Sequence, residues 1–175
     1  MFSEPQHNIE LLELDAGMKV ADLGSGSGFY SMSAASAVKQ GGMVYAVDIQ
    51  KDLLEKLKRG AQSKRLSNIE VVWGDIEKLG GTRLRDELVD AVLVCNILFQ
   101  VEDKKSLVLE AKRILKKGGK VLVVDWTGSF EGTGPHQSHV FPKESAKELF
   151  ESAGFHFERD IPAGENHYGL VFRKL

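Results

Sequence analysis

The stretch Val20–Ser31, VADLGSGSGFYS, runs from an apolar segment through Asp22 and three alternating glycines into a helix-like pattern. A glycine-rich link between a strand and a helix lets a ligand approach the main chain closely, beside the unpaired N–H groups of the helix start. Asp22 narrows the ligand. Counting from Gly24, the dinucleotide fingerprint G-x-G-x-x-G meets Gly26 but then Phe29 where its third glycine belongs. The pattern is instead Asp-x-Gly-x-Gly-x-Gly, whose carboxylate disfavours a pyrophosphate and suits an ammonium or sulfonium group. An NAD-dependent oxidoreductase is accordingly disfavoured.

Working outward, EPQHNIELLEL reads as a short N-terminal helical segment within residues 1–14, and MKVADL as a first strand. GFYSMSAASAVKQ is helical, MVYAVDI a strand, KDLLEKLKRGAQSKR a helix with Leu53, Leu54 and Leu57 on one side, and IEVVWGD a strand. An irregular LGGTRLRDELV leads to the strand DAVLVCN, the helix DKKSLVLEAKRILKKGG and the strand KVLVVDW. Alternating strands and helices, with near-continuous Val/Leu runs, require a mostly parallel sheet covered on both faces. The expected fold class is α/β, a Rossmann-like open sheet.

Beyond Trp126 the rhythm changes. Residues 127–140 form a Gly-rich loop after strand five, PKESAKELFESAG a helix opening at Pro142, and FHFERDI with YGLVFRKL an antiparallel hairpin at one sheet edge. With 175 residues and 42% hydrophobic content, one domain over residues 1–175 is expected.

Composition removes several classes of function. A net charge of −2 and a pI near 6.2 do not suit a chain that must neutralise many phosphates, so nucleic acid is not the default partner. No apolar stretch approaches the roughly 18 residues of a membrane span, and MFSEPQHNIE lacks the basic start and apolar run of a secretory signal; the expectation is a cytoplasmic protein. Cys95 is the one cysteine, which rules out an intrachain disulfide, and it reads as a small buried hydrophobe. The basic runs KLKRGAQSKR and AKRILKKGGK suit solvated helix faces.

Open parallel sheets bind ligands at the carboxyl ends of their strands. Asp48 closes the second strand at the distance where a carboxylate meets ribose hydroxyls, Asp75 closes the third, and Asn96 the fourth. Each also fits an ordinary turn or helix cap. Taken together with the glycine loop, they make the sequence similar to class I S-adenosylmethionine-dependent methyltransferases, and within them to the subgroup of ubiquinone/menaquinone-biosynthesis and arsenite methyltransferases. The likeness runs through ILKKGGKVLVVDW to the C-terminal hairpin and so covers essentially the whole chain.

The resemblance implies S-adenosyl-L-methionine as cofactor, with S-adenosyl-L-homocysteine as product. It implies a cofactor site of Asp22, Gly24, Ser25, Gly26, Gly28 and Phe29 in the loop, Asp48 toward the ribose with Ile49 after it, Asp75 and Ile76 toward the adenine, and Asn96 and Ile97 along the methionine moiety and toward the acceptor. In-line methyl transfer needs alignment and exclusion of water rather than a protein nucleophile. A base is needed only where the acceptor must lose a proton. His136 and His139 in the long loop are the first candidates, with His7, His167 and Asp125 behind them. A metal at His136 and His139 lacks a third ligand, so no metal is expected.

Asn96 is followed by ILF, not by the Pro-Pro-aromatic run of enzymes that methylate amide or exocyclic nitrogens. A single cysteine cannot supply the cysteine set of arsenite methyltransferases. A small-molecule methyl acceptor is expected; an RNA or protein acceptor, and a non-catalytic cofactor-binding module, are the alternatives.

Overall fold

The computed structural model describes residues 4–130 and 132–175. The parts of the N-terminal segment and of the long loop that fall on residues 1–3 and 131 lie outside the described residues. Seven strands form one sheet in the order β3-β2-β1-β4-β5-β7-β6: β1 Lys19–Leu23, β2 Met43–Asp48, β3 Ile69–Trp73, β4 Val89–Cys95, β5 Leu115–Trp126, β6 Phe155–Ile161 and β7 His167–Lys174. The first five pair parallel, while β7 runs antiparallel between β5 and β6. The hairpin therefore lies at the sheet edge, as its turn-rich link implied, with its second strand on the inside.

Both faces are covered because the strand side chains alternate between two apolar layers. Val92 and Val94 of β4 and Val121 and Val123 of β5 enter one layer, with Leu107, Val108 and Ala111 of α4 (Lys104–Ile114) and Phe150 of α5 (Lys143–Ser152). Their neighbours Ala91, Leu93, Leu122 and Val124 enter the other, against Ile9 and Leu12 of α1 (Pro5–Leu12) and Tyr30, Ala34 and Val38 of α2 (Phe29–Val38). Helix α3 (Lys51–Ser63) buries Leu54, Leu57 and Ala61, while Leu53 is only partly covered and turns to the site.

One helix is shorter than its sequence pattern. The predicted helix reaches Gly119, yet α4 stops at Ile114: Leu115 takes an extended conformation and pairs with Val89, and Gly118 turns the chain at positive φ before regular pairing resumes at Lys120. Leu115 is still in phase with the apolar positions of the helix, so the cross-strand partner decided the boundary. Likewise Pro142 stands before α5, at the N-cap, and β7 begins at His167 rather than Tyr168.

A buried polar clamp holds the irregular connection to α4. Glu110, fully buried, accepts hydrogen bonds from Gly80 N–H (2.7 Å), Thr82 N–H (3.2 Å), the Thr82 hydroxyl (2.5 Å) and Arg113. Asn8, buried under α1, donates to Tyr30 Oη and to the Ala163 carbonyl, which ties α1 to α2 and to the β6–β7 link. These ties set the walls of the site.

Candidate functional site

Strand order reverses between β1 and β4, and at their carboxyl ends lies a cavity of about 720 Å³. That volume is in the upper part of the roughly 300–1,000 Å³ range of small-ligand sites. The floor follows the sheet order. Asp75, Asp48 and Asp22 mark the ends of β3, β2 and β1, whereas Cys95 and Asn96, Trp126, and His167 mark β4, β5 and β7. Because β7 is antiparallel, its first residue stands where the parallel strands finish, directly opposite Trp126.

The glycine loop is held from below. Gly24 and Ser25 donate their N–H groups to the Val47 carbonyl, and Gly26 donates to Asp48 Oδ2 at 2.9 Å, while Asp48 Oδ1 accepts from Gln50 N–H at 2.9 Å. The three glycines serve different ends. A Cβ on Gly24 or Gly28 would strike Ile97 or Leu57, but a Cβ on Gly26, at φ +54°, would enter open space in the cavity. Ser25 Oγ is buried at the same place with no hydrogen-bond partner among the described residues. At the rim, Phe29 is 66% exposed and Ile49 59%, apolar surface that a flat ligand could cover.

Asp22 is only 2% exposed and accepts the Ser31 hydroxyl at 2.6 Å. Burial pushes its carboxyl up to about 6, with the Ser31 bond opposing and the neighbouring Asp48 adding to the rise. At neutral pH it is an anion short of counter-charge, which a cationic ligand would supply. Asp75 differs: paired with Lys78 at 3.0 Å and bonded by Glu77 N–H, it is held below the usual carboxylate range. Ile76 follows it into the cavity wall. Asn96 adopts left-handed φ (+55°), a conformation tolerated by Asn better than by most residues, and its N–H caps β5 at Val124. Ile97 packs on Gly24 beside it.

Of the twelve residues the resemblance implied, eleven line this one cavity; Gly28 instead backs onto Leu57 of α3. The histidines named first do not reach it. His136 and His139 are exposed, at the N-cap and the end of the turn Gln137–His139, His136 bonding to Ser138, and neither lines the cavity; His7 is exposed on α1. Asp125 is buried beneath the floor, accepting the N–H groups of Leu98 and Trp126, and is likewise absent from the lining. Trp126 and the weaker candidate His167 are there instead. Applying the strand-end rule to the last residue of the fifth strand would have found Trp126. Among the described residues no helix is long and apolar enough to cross a membrane, and no group of three potential ligands is placed to hold a metal.

A methyltransferase-domain family model matches residues 14–159. Demethylmenaquinone methyltransferase from Oceanobacillus iheyensis is 30% identical over 114 residues, covering 65% of this chain and 47% of that protein. Human arsenite methyltransferase is 32% identical over 121 residues, covering 64% and 32% respectively, so the matched region spans about a third to a half of these relatives. A solved S-adenosylmethionine-dependent methyltransferase from Aquifex aeolicus has the same fold, with a TM-score of 0.89 at 24% identity over 99% of this chain and 90% of that one. The chain belongs to the class I S-adenosylmethionine-dependent methyltransferases, with S-adenosylmethionine as the cofactor of its family.

Proposed function

We propose that the protein moves the methyl group of S-adenosylmethionine to a small organic acceptor bound in the same cavity. One observation carries this reading: among the described residues, a single cavity is carboxylate-lined under β1, β2 and β3 and free of carboxylates under β4, β5 and β7. The first half suits a cationic nucleoside, the second an uncharged acceptor.

On this reading Asp48, which uses one acceptor site on each oxygen within the protein, keeps capacity for two ribose hydroxyls. Asp75 and Ile76 receive the adenine, with Phe29 and Ile49 against its faces. Ser25 Oγ gains the partner it lacks, and Asp22 gains a counter-charge. Gly28 supports the loop from behind, and Asn96 with Ile97 closes the side toward the acceptor. The bound cofactor supplies an electrophilic methyl on a positively charged sulfur. The protein contributes alignment and dryness, terms that can be worth roughly 7–11 kcal/mol of a barrier when geometry is good.

Incubation with methyl-labelled S-adenosylmethionine tests the proposal, using separate pools of small phenols, amines and thiols, total RNA and total protein. Label recovered in a small molecule supports it. Label recovered only in RNA or protein would assign the macromolecular acceptor instead, and binding of cofactor without transfer to any pool would indicate a non-catalytic module.

A further inference from the structure

His167 is 6% exposed, lines the cavity, and has no hydrogen-bond partner on either ring nitrogen among the described residues. Its backbone is fixed by β7 pairing and by its N–H bond to the Gly164 carbonyl. Its ring sits 4.3 Å from that of Trp126, centroid to centroid, tilted by 41°. A buried polar side chain without a partner is costly, and its two nitrogens are the groups most in need of a ligand in this half of the cavity.

We propose that His167 is a catalytic residue that accepts the hydroxyl proton of the methyl acceptor, and that the acceptor is a flat, uncharged molecule bearing a phenol or enol hydroxyl packed against Trp126. The inference rests on the methyltransferase reading above and goes beyond it in naming the acceptor class.

Three observations select that class. First, among the described residues that line the cavity at the ends of β4, β5 and β7, none bears a charge that could hold a carboxylate or ammonium acceptor. Second, burial pushes the imidazole down to about 4, so at neutral pH it is neutral and offers one lone-pair nitrogen. A neutral hydroxyl satisfies it, whereas a neutral arylamine attacks without needing a base. Third, the titratable groups at the ends of β4 and β5 are unsuited: burial drives the Cys95 thiol well above its usual range, and Asp125 faces backbone N–H groups below the floor.

The step balances. The acceptor oxygen forms a bond to the methyl carbon as its O–H proton passes to His167. The carbon–sulfur bond breaks with its electron pair staying on sulfur, leaving a neutral thioether. Positive charge leaves the sulfonium and reappears on the imidazolium, which later yields its proton to water. Net charge in the cavity is unchanged, an advantage where water is scarce.

The test uses the whole protein, with His167→Gln and His167→Asn as variants and para-cresol, para-toluidine and pentafluorophenol as acceptors. Pentafluorophenol is already ionised at neutral pH and needs no base. S-adenosylhomocysteine affinity, read by calorimetry, should stay within about threefold in both variants. Para-cresol binding to that complex should weaken at least tenfold, and its methylation should fall at least a hundredfold, in line with general-base contributions of roughly 10²–10⁴. Pentafluorophenol methylation should fall less than about fivefold. Equal losses for both phenols, unchanged cresol binding, or a wild-type protein that methylates para-toluidine but not para-cresol would overturn the assignment. A wild-type protein that does not bind S-adenosylhomocysteine contradicts the methyltransferase reading itself, and the assignment with it.

Discussion

Asp48, at the end of β2, accepts the N–H of Gly26 at 2.9 Å, so the carboxylate of one strand end fixes the glycine loop of the next. On the proposed reading Asp48 has two duties, as a support of the loop and as an acceptor for ligand hydroxyls. Asp48→Ala should weaken S-adenosylhomocysteine binding by about 1–3 kcal/mol, the size of lost charge-assisted bonds. Calorimetry on a variant with an unaltered unfolding transition measures it; full affinity would remove Asp48 from the site.

The pH dependence of Asp22 has opposite signs for stability and for binding. Its native value of about 6 exceeds the ordinary 3.8, so between those two values the folded protein holds more of the proton than the unfolded chain. The Asp22 contribution to stability therefore falls as pH rises through this window. Asp22→Asn, which can still accept the Ser31 hydroxyl, should be more stable than wild type at pH 7 by up to about 3 kcal/mol and equal to it near pH 4. Urea unfolding of both at the two pH values gives the comparison.

Binding of the cation goes the other way. Affinity for S-adenosylmethionine should drop up to about tenfold per unit as pH falls below 6, where Asp22 becomes neutral, and Asp22→Asn should bind weakly with little dependence on pH from this source. Equal affinity of the two proteins at pH 7.5 would detach Asp22 from the cationic ligand.

Two glycine variants separate ligand space from packing. Gly26→Val would put its side chain into the open cavity, so cofactor affinity should fall at least about tenfold with a modest cost of roughly 1–2 kcal/mol for the left-handed backbone. Gly28→Val would collide with Leu57 and should lower the unfolding temperature before it affects binding. The order of the two effects, read by thermal melts and titration, checks the geometry.

The Glu110 clamp holds the connection after β3 without itself lining the cavity. Glu110→Ala leaves Arg113 and the N–H groups of Gly80 and Thr82 without their acceptor and should cost about 3 kcal/mol in urea unfolding. Arg113 and the three other donors hold the Glu110 carboxyl at about 2 against burial, which alone would raise it. Its contribution is thus present above the ordinary 4.5 and lost as pH falls toward 2.

How far the sequence speaks depends on which residues carry the signal. Alternating Val/Leu strands and breaker-bounded helices fix the element order, and the motif from Asp22 to Gly28 marks the switch point because its spacing is local. Asp48 and Asp75 follow from the strand-end rule. The end of α4 was less legible, since Leu115 and the lysines after it suit a helix until pairing with Val89 is known. Glu110 looks like any charged residue of an amphipathic helix; only the fold brings Thr82 and Gly80 to it. The histidines show the same limit. A long loop marks His136 and His139 in the sequence, but the ring that faces the cavity is carried there by an antiparallel strand, and the register of β7 against β5 is a long-range property.

The most direct measurement is calorimetric titration of the protein with S-adenosylmethionine and S-adenosylhomocysteine at pH 7.5, with NAD as the control. The account predicts one molecule of either sulfur compound bound per chain, no NAD binding, and loss of affinity in Gly26→Val. Binding of NAD alone, or of none of the three, would contradict the claim that the cavity at the β1–β4 switch point is a cofactor site for methyl transfer.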